Sequence, residues 1–166
     1  VTADACIVAA GAWSARLTRL FGASLPIRPG KGYSLDFAPA PLDLPMFVLL
    51  SEAHCAITPL DGMTRVCGTM EFGPLDETIN AGRVRAIREA PGRYFRNWDP
   101  DAPSSAPTAG LRPMTPDGLP VIGRLRPWDN VYVASGHAML GVTLAIGAST
   151  KKETGTINCP IDFGGV

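Results

Sequence analysis

The 166 residues carry fifteen basic and fifteen acidic side chains, so the formal net charge is zero; 46% of residues are hydrophobic and 18% are charged. That balance leaves no field to steer the chain toward nucleic acid or an anionic membrane. It does supply the apolar material of a packed core, which excludes a disordered segment. The length allows one ordinary domain or two small lobes.

In chain order, Asp4–Ala10 is a continuous apolar run, the pattern of a strand buried on both faces. Gly11 permits a tight turn, and Ala12–Phe21 follows with helical spacing of Ala12, Trp13, Leu17, Leu20 and Phe21, stopped by Gly22. After Pro26 and Pro29 the pattern changes to short strands. Tyr33–Phe37 alternates, and Met46–Leu50, Cys55–Thr58 and Thr64–Thr69 follow, with a hairpin signal at Pro59–Gly62. These predict a mainly antiparallel sheet. Asn80–Trp98 reads as a helix that Pro91-Gly92 interrupts, with its five arginines on a solvated face, and Asp99–Thr108 reads as a loop. Gly118–Gly123 and Val131–Ala134 read as strands, and about Leu140–Ala148 as a buried apolar helix. The last part thus repeats the opening theme of buried strand, glycine turn and helix.

Cys6, Cys55, Cys67 and Cys159 show no C-x-x-C spacing, Cys6 sits in an apolar run as a small buried hydrophobe would, and His54 and His137 lack ligand-like neighbours, so no metal site is expected. No apolar run approaches the roughly 20 residues that span a bilayer. The start has neither a Met nor the basic stretch of a signal peptide, and is expected to be a cut made upstream.

Three segments could carry chemistry. Two are the strand-glycine-helix units Ile7–Ser14 and Val133–Gly141. In an α/β sheet, ligands bind beyond the carboxyl ends of strands, and the free N–H groups at a helix start suit an anion. The third is Ala109–Gly123, in which Arg112 stands between Leu111 and Pro113 ahead of a polar turn. An arginine offers a planar fork that grips a carboxylate with two parallel hydrogen bonds.

Together these segments resemble the C-terminal half of the D-amino-acid oxidoreductase superfamily of flavoproteins, which includes D-amino-acid dehydrogenase, glycine oxidase and sarcosine oxidase. Asp4–Ser14 looks like the strand and turn where the chain re-enters the flavin domain, and Pro29–Tyr33 like the crossing into the substrate domain. Arg65–Glu71 is similar to the family's R-v-g-G-T-x-E strand; Gly110–Pro113 with Thr115–Gly118 and Pro120–Gly123 matches its most recognisable stretch. Gly136-His137 followed by Leu140–Ala145 matches its closing flavin loop and helix, the match as a whole covering about residues 4 to 148. Gly32-Tyr33 and the closing loop lean toward the D-amino-acid dehydrogenase branch.

The resemblance implies an α+β fold: an antiparallel substrate-domain sheet with helices at 30–108, plus the C-terminal portion of an FAD-binding α/β domain at 1–29 and 109–166. It implies FAD as cofactor and a small amino-acid substrate oxidised at its CH–NH bond by hydride transfer to flavin. Arg112 would hold the substrate carboxylate, with Tyr33 and His54 as pocket walls. Gly11, Trp13, Gly136, His137, Leu140, Gly141 and Thr143 would contact the cofactor, with helix-start N–H groups stabilising reduced flavin. It also implies a cytoplasmic location, or a peripheral one at the inner membrane face.

The sequence departs from that pattern twice. Nothing matches the G-x-G-x-x-G phosphate turn, so an N-terminal FAD-binding half is expected from elsewhere, or the exposed sheet edges drive self-association. The tail from Ser149 is polar where the family continues an apolar helix. The alternative from a different class is a non-catalytic module that keeps the substrate-domain sheet and binds a small ligand or partner.

Overall fold

A computed structural model describes residues 2–149; the atypical tail beyond Ser149 and Cys159 lie outside the described residues. The elements in chain order are β1 (Cys6–Val8), α1 (Ser14–Thr18), β2 (Arg28–Phe37), β3 (Val48–Leu50), β4 (Cys55–Leu60), β5 (Met63–Phe72), α2 (Ala81–Glu89), β6 (Thr108–Met114), β7 (Val121–Arg124), β8 (Val131–Ser135) and α3 (Gly141–Ser149). Single 3₁₀ turns extend α1 at both ends, so the backbone is helical from Gly11 to Phe21. Mixed sheets with few helices make this an α+β chain. It divides into two compact units, Val1–Gly30 with Arg112–Val166, and Lys31–Leu111.

In the first unit β8 is the central strand of three, parallel to β1 and antiparallel to β7. Val131 and Val133 form its small core with Leu125, against which Phe21, Ala23, Leu25 and Val121 pack. Trp128 closes one end, stacking edge-on to Phe21 at 6.2 Å and donating its indole N–H to the Phe21 carbonyl at 2.9 Å. Two expectations of burial fail here. Cys6 is exposed and Ile7 is 66% exposed, and among the described residues β1 has β8 as its one neighbour in the sheet. The α3 helix is apolar on every side yet shows Val142 at 92% and Ile146 at 78% exposure. Its sequence lacks the polar stripe that a helix packed on one side only would carry.

The second unit is built on the sheet order β3-β4-β5-β2-β6. Asp61-Gly62 turns β4 into β5 with Leu60 opposite Met63, and Gly62 takes the positive φ of 70°. Strand alternation sorts the side chains. Tyr33, Leu35 and Phe37 of β2, Leu50, Cys55 and Ile57 of β3 and β4, and Val66 of β5 enter one core with Ile87, Ala90 and Trp98. Burial raises the Cys55 thiol to about 12, with the nearby Cys67 adding to the effect, so this cysteine is a core group rather than a nucleophile. The helix expected over Asn80–Trp98 ends at Glu89 and tightens into a 3₁₀ turn through Pro91. Asn80 caps it, its side chain accepting from the N–H groups of Gly82 and Arg83. Strand β6 lies where the sequence suggested none, since Gly110 and Pro113 lower β propensity.

One buried cation secures the stretch after β5. Lys31, 4% exposed, donates to Asp76 at 2.8 Å and to the Thr78 carbonyl at 3.0 Å, with Glu71 at 3.9 Å. The hydrogen bond from Lys31 holds the Asp76 carboxyl below its ordinary range, and the one from Arg65 does the same for Asp36. A carboxyl whose folded pKa is depressed contributes its stability above the ordinary value of about 4, and loses it as pH falls toward the folded value. The melting temperature is therefore expected to drop on acidification below about pH 4. Thermal unfolding followed by circular dichroism across that range checks it, and Asp76→Asn should flatten the profile. An unchanged profile in that variant would remove Asp76 from the account.

Candidate functional site

Strand β6 ends in Arg112-Pro113-Met114, and the turn Thr115–Gly118 leads to β7. That turn is built by its own side chains. Thr115 donates to the Leu119 carbonyl at 2.9 Å, Asp117 accepts from the Leu119 N–H at 3.0 Å, and Gly118 takes φ +73°. Beside it, β8 runs into Gly136 at φ +82°, where a Cβ would stand 2.8 Å from the Thr115 methyl and 3.3 Å from the Val121 nitrogen. Only glycine fits there, and its presence lets the loop after β8 lie directly on the Thr115 turn. The loop then bonds to the arginine strand: the Ala138 N–H donates to the Pro113 carbonyl at 3.0 Å. Ala138 holds φ +50°, an uncommon value for a residue with a side chain.

From Gly141 the chain enters α3. The first described bond of its ladder runs from Leu144 N–H to the Leu140 carbonyl at 2.9 Å. Helix geometry therefore leaves the N–H groups of Gly141, Val142 and Thr143 without intrahelical acceptors. The first glycine turn joins the same region through the parallel pairing of β1 with β8. Gly11 has φ +55°, and its carbonyl accepts from the Ser135 hydroxyl at 2.9 Å, one residue before Gly136. Trp13 on that turn is 42% exposed.

Among the described residues of this unit, three side chains keep a buried polar atom with no hydrogen-bond partner: Ser14 Oγ, Arg112 Nη1 and His137 Nε2. One falls in each of the three segments singled out from the sequence. A buried polar atom left unmade costs about 1–3 kcal/mol, so folds rarely leave them without reason. Ser14, the first residue of α1 and directly after Trp13, is not among the site residues expected from the sequence.

Tyr33 and His54 belong to the other unit. Tyr33 is 1% exposed and donates its hydroxyl to Glu71 at 2.8 Å; burial, then Glu71, raises the phenol's pKa. His54 is exposed on the β3–β4 turn at φ +48°, and its carbonyl accepts from Thr69 N–H at 2.9 Å. A groove of about 430 Å³ in this unit, between α2 and the 100–107 loop, contains none of the predicted site residues. Among the described residues no group of three or more His, Cys, Asp or Glu could hold a metal ion, and no helix is long and apolar enough to cross a membrane.

The family profile described as FAD dependent oxidoreductase matches residues 1–150. An uncharacterized oxidoreductase of Halorhodospira halophila is 39% identical over 90% of this chain and 69% of its own length. A D-amino acid dehydrogenase of Methylobacterium nodulans is also 39% identical, over 89% of this chain but 35% of its own length. The crystal structure of glycine oxidase from Geobacillus kaustophilus superposes with a TM-score of 0.78 at 31% identity, covering 96% of this chain and 45% of that one. The chain thus spans about a third of the D-amino acid dehydrogenase and under half of the glycine oxidase it matches. It belongs to the FAD dependent oxidoreductase family, whose cofactor is FAD.

Proposed function

We propose that this chain supplies the substrate-orienting part of an FAD-dependent oxidoreductase that oxidises the CH–NH bond of D-amino acids or similar small amines. The observation that carries the reading is the trio of orphaned buried atoms, above all Arg112 Nη1 and His137 Nε2 on two segments tied by the Ala138–Pro113 bond. A bound anionic or polar group would satisfy them. FAD, when bound, supplies the two-electron acceptor. Gly11, Trp13 and the 136–143 loop and helix start would hold it, the free N–H groups of α3 facing negative charge.

Arg112 would take the substrate carboxylate and fix the direction of the α-carbon, a positioning effect that can supply several kcal/mol of a barrier. Lys31–Leu111 would be the substrate-side unit. There Tyr33 and His54 would be pocket walls, Tyr33 with its buried hydroxyl held by Glu71 and His54 exposed to solute. We further infer that the complete flavin site draws on protein surface beyond the described residues. Among the described residues, the unpaired edge of β1 and the exposed apolar side chains of Ile7 and Val142 support this. A longer polypeptide or a second copy would provide it.

Titration of FAD with the purified chain tests the reading. Quenching of flavin fluorescence, perturbed further by D-amino acids and less by their L-enantiomers, is the expected result. Fluorescence indifferent to the chain, with no D-amino acid bound, would remove the proposal.

A further inference from the structure

Alternation puts Lys31, Tyr33, Leu35 and Phe37 of β2 on one side of the sheet. All four are buried, from 4% exposed at Lys31 to 0% at Phe37. Leu35 and Phe37 lie in the core closed by Ile87, Ala90 and Trp98. The Lys31 end of the row is polar, and a different piece of chain covers it. The Tyr33 hydroxyl donates to Glu71, near the end of β5, at 2.8 Å. Burial, then Glu71, raises the phenol's pKa, and the backbone N–H of Asn80, the cap of α2, acts on it the other way. The hydroxyl thus sits between the two ends of the irregular stretch 73–79, which joins β5 to α2.

Both ends of that stretch are fixed. Arg83 of α2 donates to the Met70 carbonyl at 3.2 Å and lies 3.7 Å from Glu71, while Asn80 accepts from the N–H groups of Gly82 and Arg83. The middle hangs on one side chain. Among the described residues, the hydrogen bonds that join 73–79 to the rest of the chain run from Lys31 alone: Nζ donates to Asp76 Oδ1 at 2.8 Å and to the Thr78 carbonyl at 3.0 Å. The bond from Thr78 N–H to Asp76 Oδ1, at 3.0 Å, is internal to the stretch. Pro74 has no N–H to offer. Leu75 and Asp76 are half-buried and the other five residues are exposed. Segments with so few ties open locally while the rest of a fold stays closed. Lys31 opposes that opening, because bonds to a charged group are the stronger kind and a buried ammonium stripped of acceptors is costly.

We propose that residues 73–79 form a latched strap: Lys31 pins it through Asp76 and Thr78, and its release opens the Tyr33 hydroxyl and Glu71 to solute while the core of the unit stays folded. Gly73 at one end and Ile79-Asn80 at the other are its hinges. The strap lies wholly within the Lys31–Leu111 unit and holds whether or not that unit meets a substrate. Breaking one charge-assisted bond of the latch should raise the open population about tenfold.

Limited proteolysis with a glutamate-specific protease reads the strap, since cleavage after Glu77 requires it to lift. Nitration with tetranitromethane, followed by peptide mapping, reads the hydroxyl beneath. In the unsubstituted protein Glu77 should be cut slowly, and Tyr33 should be spared while Tyr94, 44% exposed, is modified. Asp76→Asn and Lys31→Met should each speed cleavage after Glu77 about tenfold and make Tyr33 reactive, with cleavage after Glu89 unchanged. Arg65→Met breaks an ion pair on the other side of the sheet and should change neither readout. Asp76→Asn keeps the Lys31 ammonium and its bond to the Thr78 carbonyl, so it serves as the milder variant if Lys31→Met fails to fold. Cleavage after Glu77 that rises in step with cleavage after Glu89 would mean that the whole unit loosens, and would overturn the strap. An unreactive Tyr33 in a variant cut freely at Glu77 would overturn it too, as would variants that match the unsubstituted protein in both readouts.

Discussion

Replacing Gly68 with alanine should lower the melting temperature of the Lys31–Leu111 unit by on the order of 10 °C. Gly68 sits in β5 opposite Cys55. A Cβ added there would stand 2.4 Å from the His54 carbonyl oxygen, 3.0 Å from the Cys55 Cα and 3.2 Å from the Ile87 Cγ2. Two of those atoms are backbone and cannot rotate away. Relief requires the β3–β4 turn to lift off β5, which would break the Thr69 N–H bond to the His54 carbonyl and disturb Cys55 in the core. Overpacking of this kind costs about 1–3 kcal/mol and more where backbone must move. Gly110→Ala is the internal control: Gly110 also lies in a strand, yet a Cβ there meets nothing within 4 Å. Circular dichroism melts of the two variants should separate widely. Equal melting temperatures would mean that the β3–β4 turn yields freely and that Gly68 carries no packing constraint.

Gly68 also shows what the sequence leaves unsaid. Its neighbours spell an alternating strand, and the strand was legible; the carbonyl above it was not, because close approach comes from a partner strand. The same divide runs through the chain. Tyr33–Phe37, Asp61-Gly62 and the Gly11 and Gly136 turns announce themselves by period and by glycine, because those patterns follow from local geometry. Strand β6 did not, since Gly110 and Pro113 disguise a segment whose place depends on β2 beside it. Burial was misjudged for Ile7 and α3 for the opposite reason: apolar sequence says that a surface can be covered, and says nothing of what covers it. At the site, Arg112 and His137 were singled out by motif. Their shared feature, a buried nitrogen with no partner, belongs to the folded chain alone. Asp36 and Arg65 lie 29 positions apart and could be joined only once β2 and β5 were side by side.

Arg112→Lys should weaken D-amino acid binding by about tenfold to a hundredfold, while leaving the melting temperature unchanged or slightly higher. The two halves of this prediction rest on the same atom. Arg112 Nη1 is buried without a partner, so in the unliganded chain it subtracts from stability rather than adding to it. Lysine replaces a two-point fork by a single ammonium at the end of a flexible stem, and one of the charge-assisted bonds to a carboxylate is lost. Arg112→Met goes further: it removes the charge, should abolish detectable binding, and should stabilise the apo chain by about 1 kcal/mol. An arginine that merely braced the 115–118 turn would behave in the reverse way, losing stability on either substitution and leaving affinity to follow only as the fold loosened. Melting curves and amino-acid titrations on the same two variants therefore discriminate the roles directly. A drop in melting temperature with affinity intact would assign Arg112 to the scaffold and move the search for the carboxylate anchor to His137 and the start of α3.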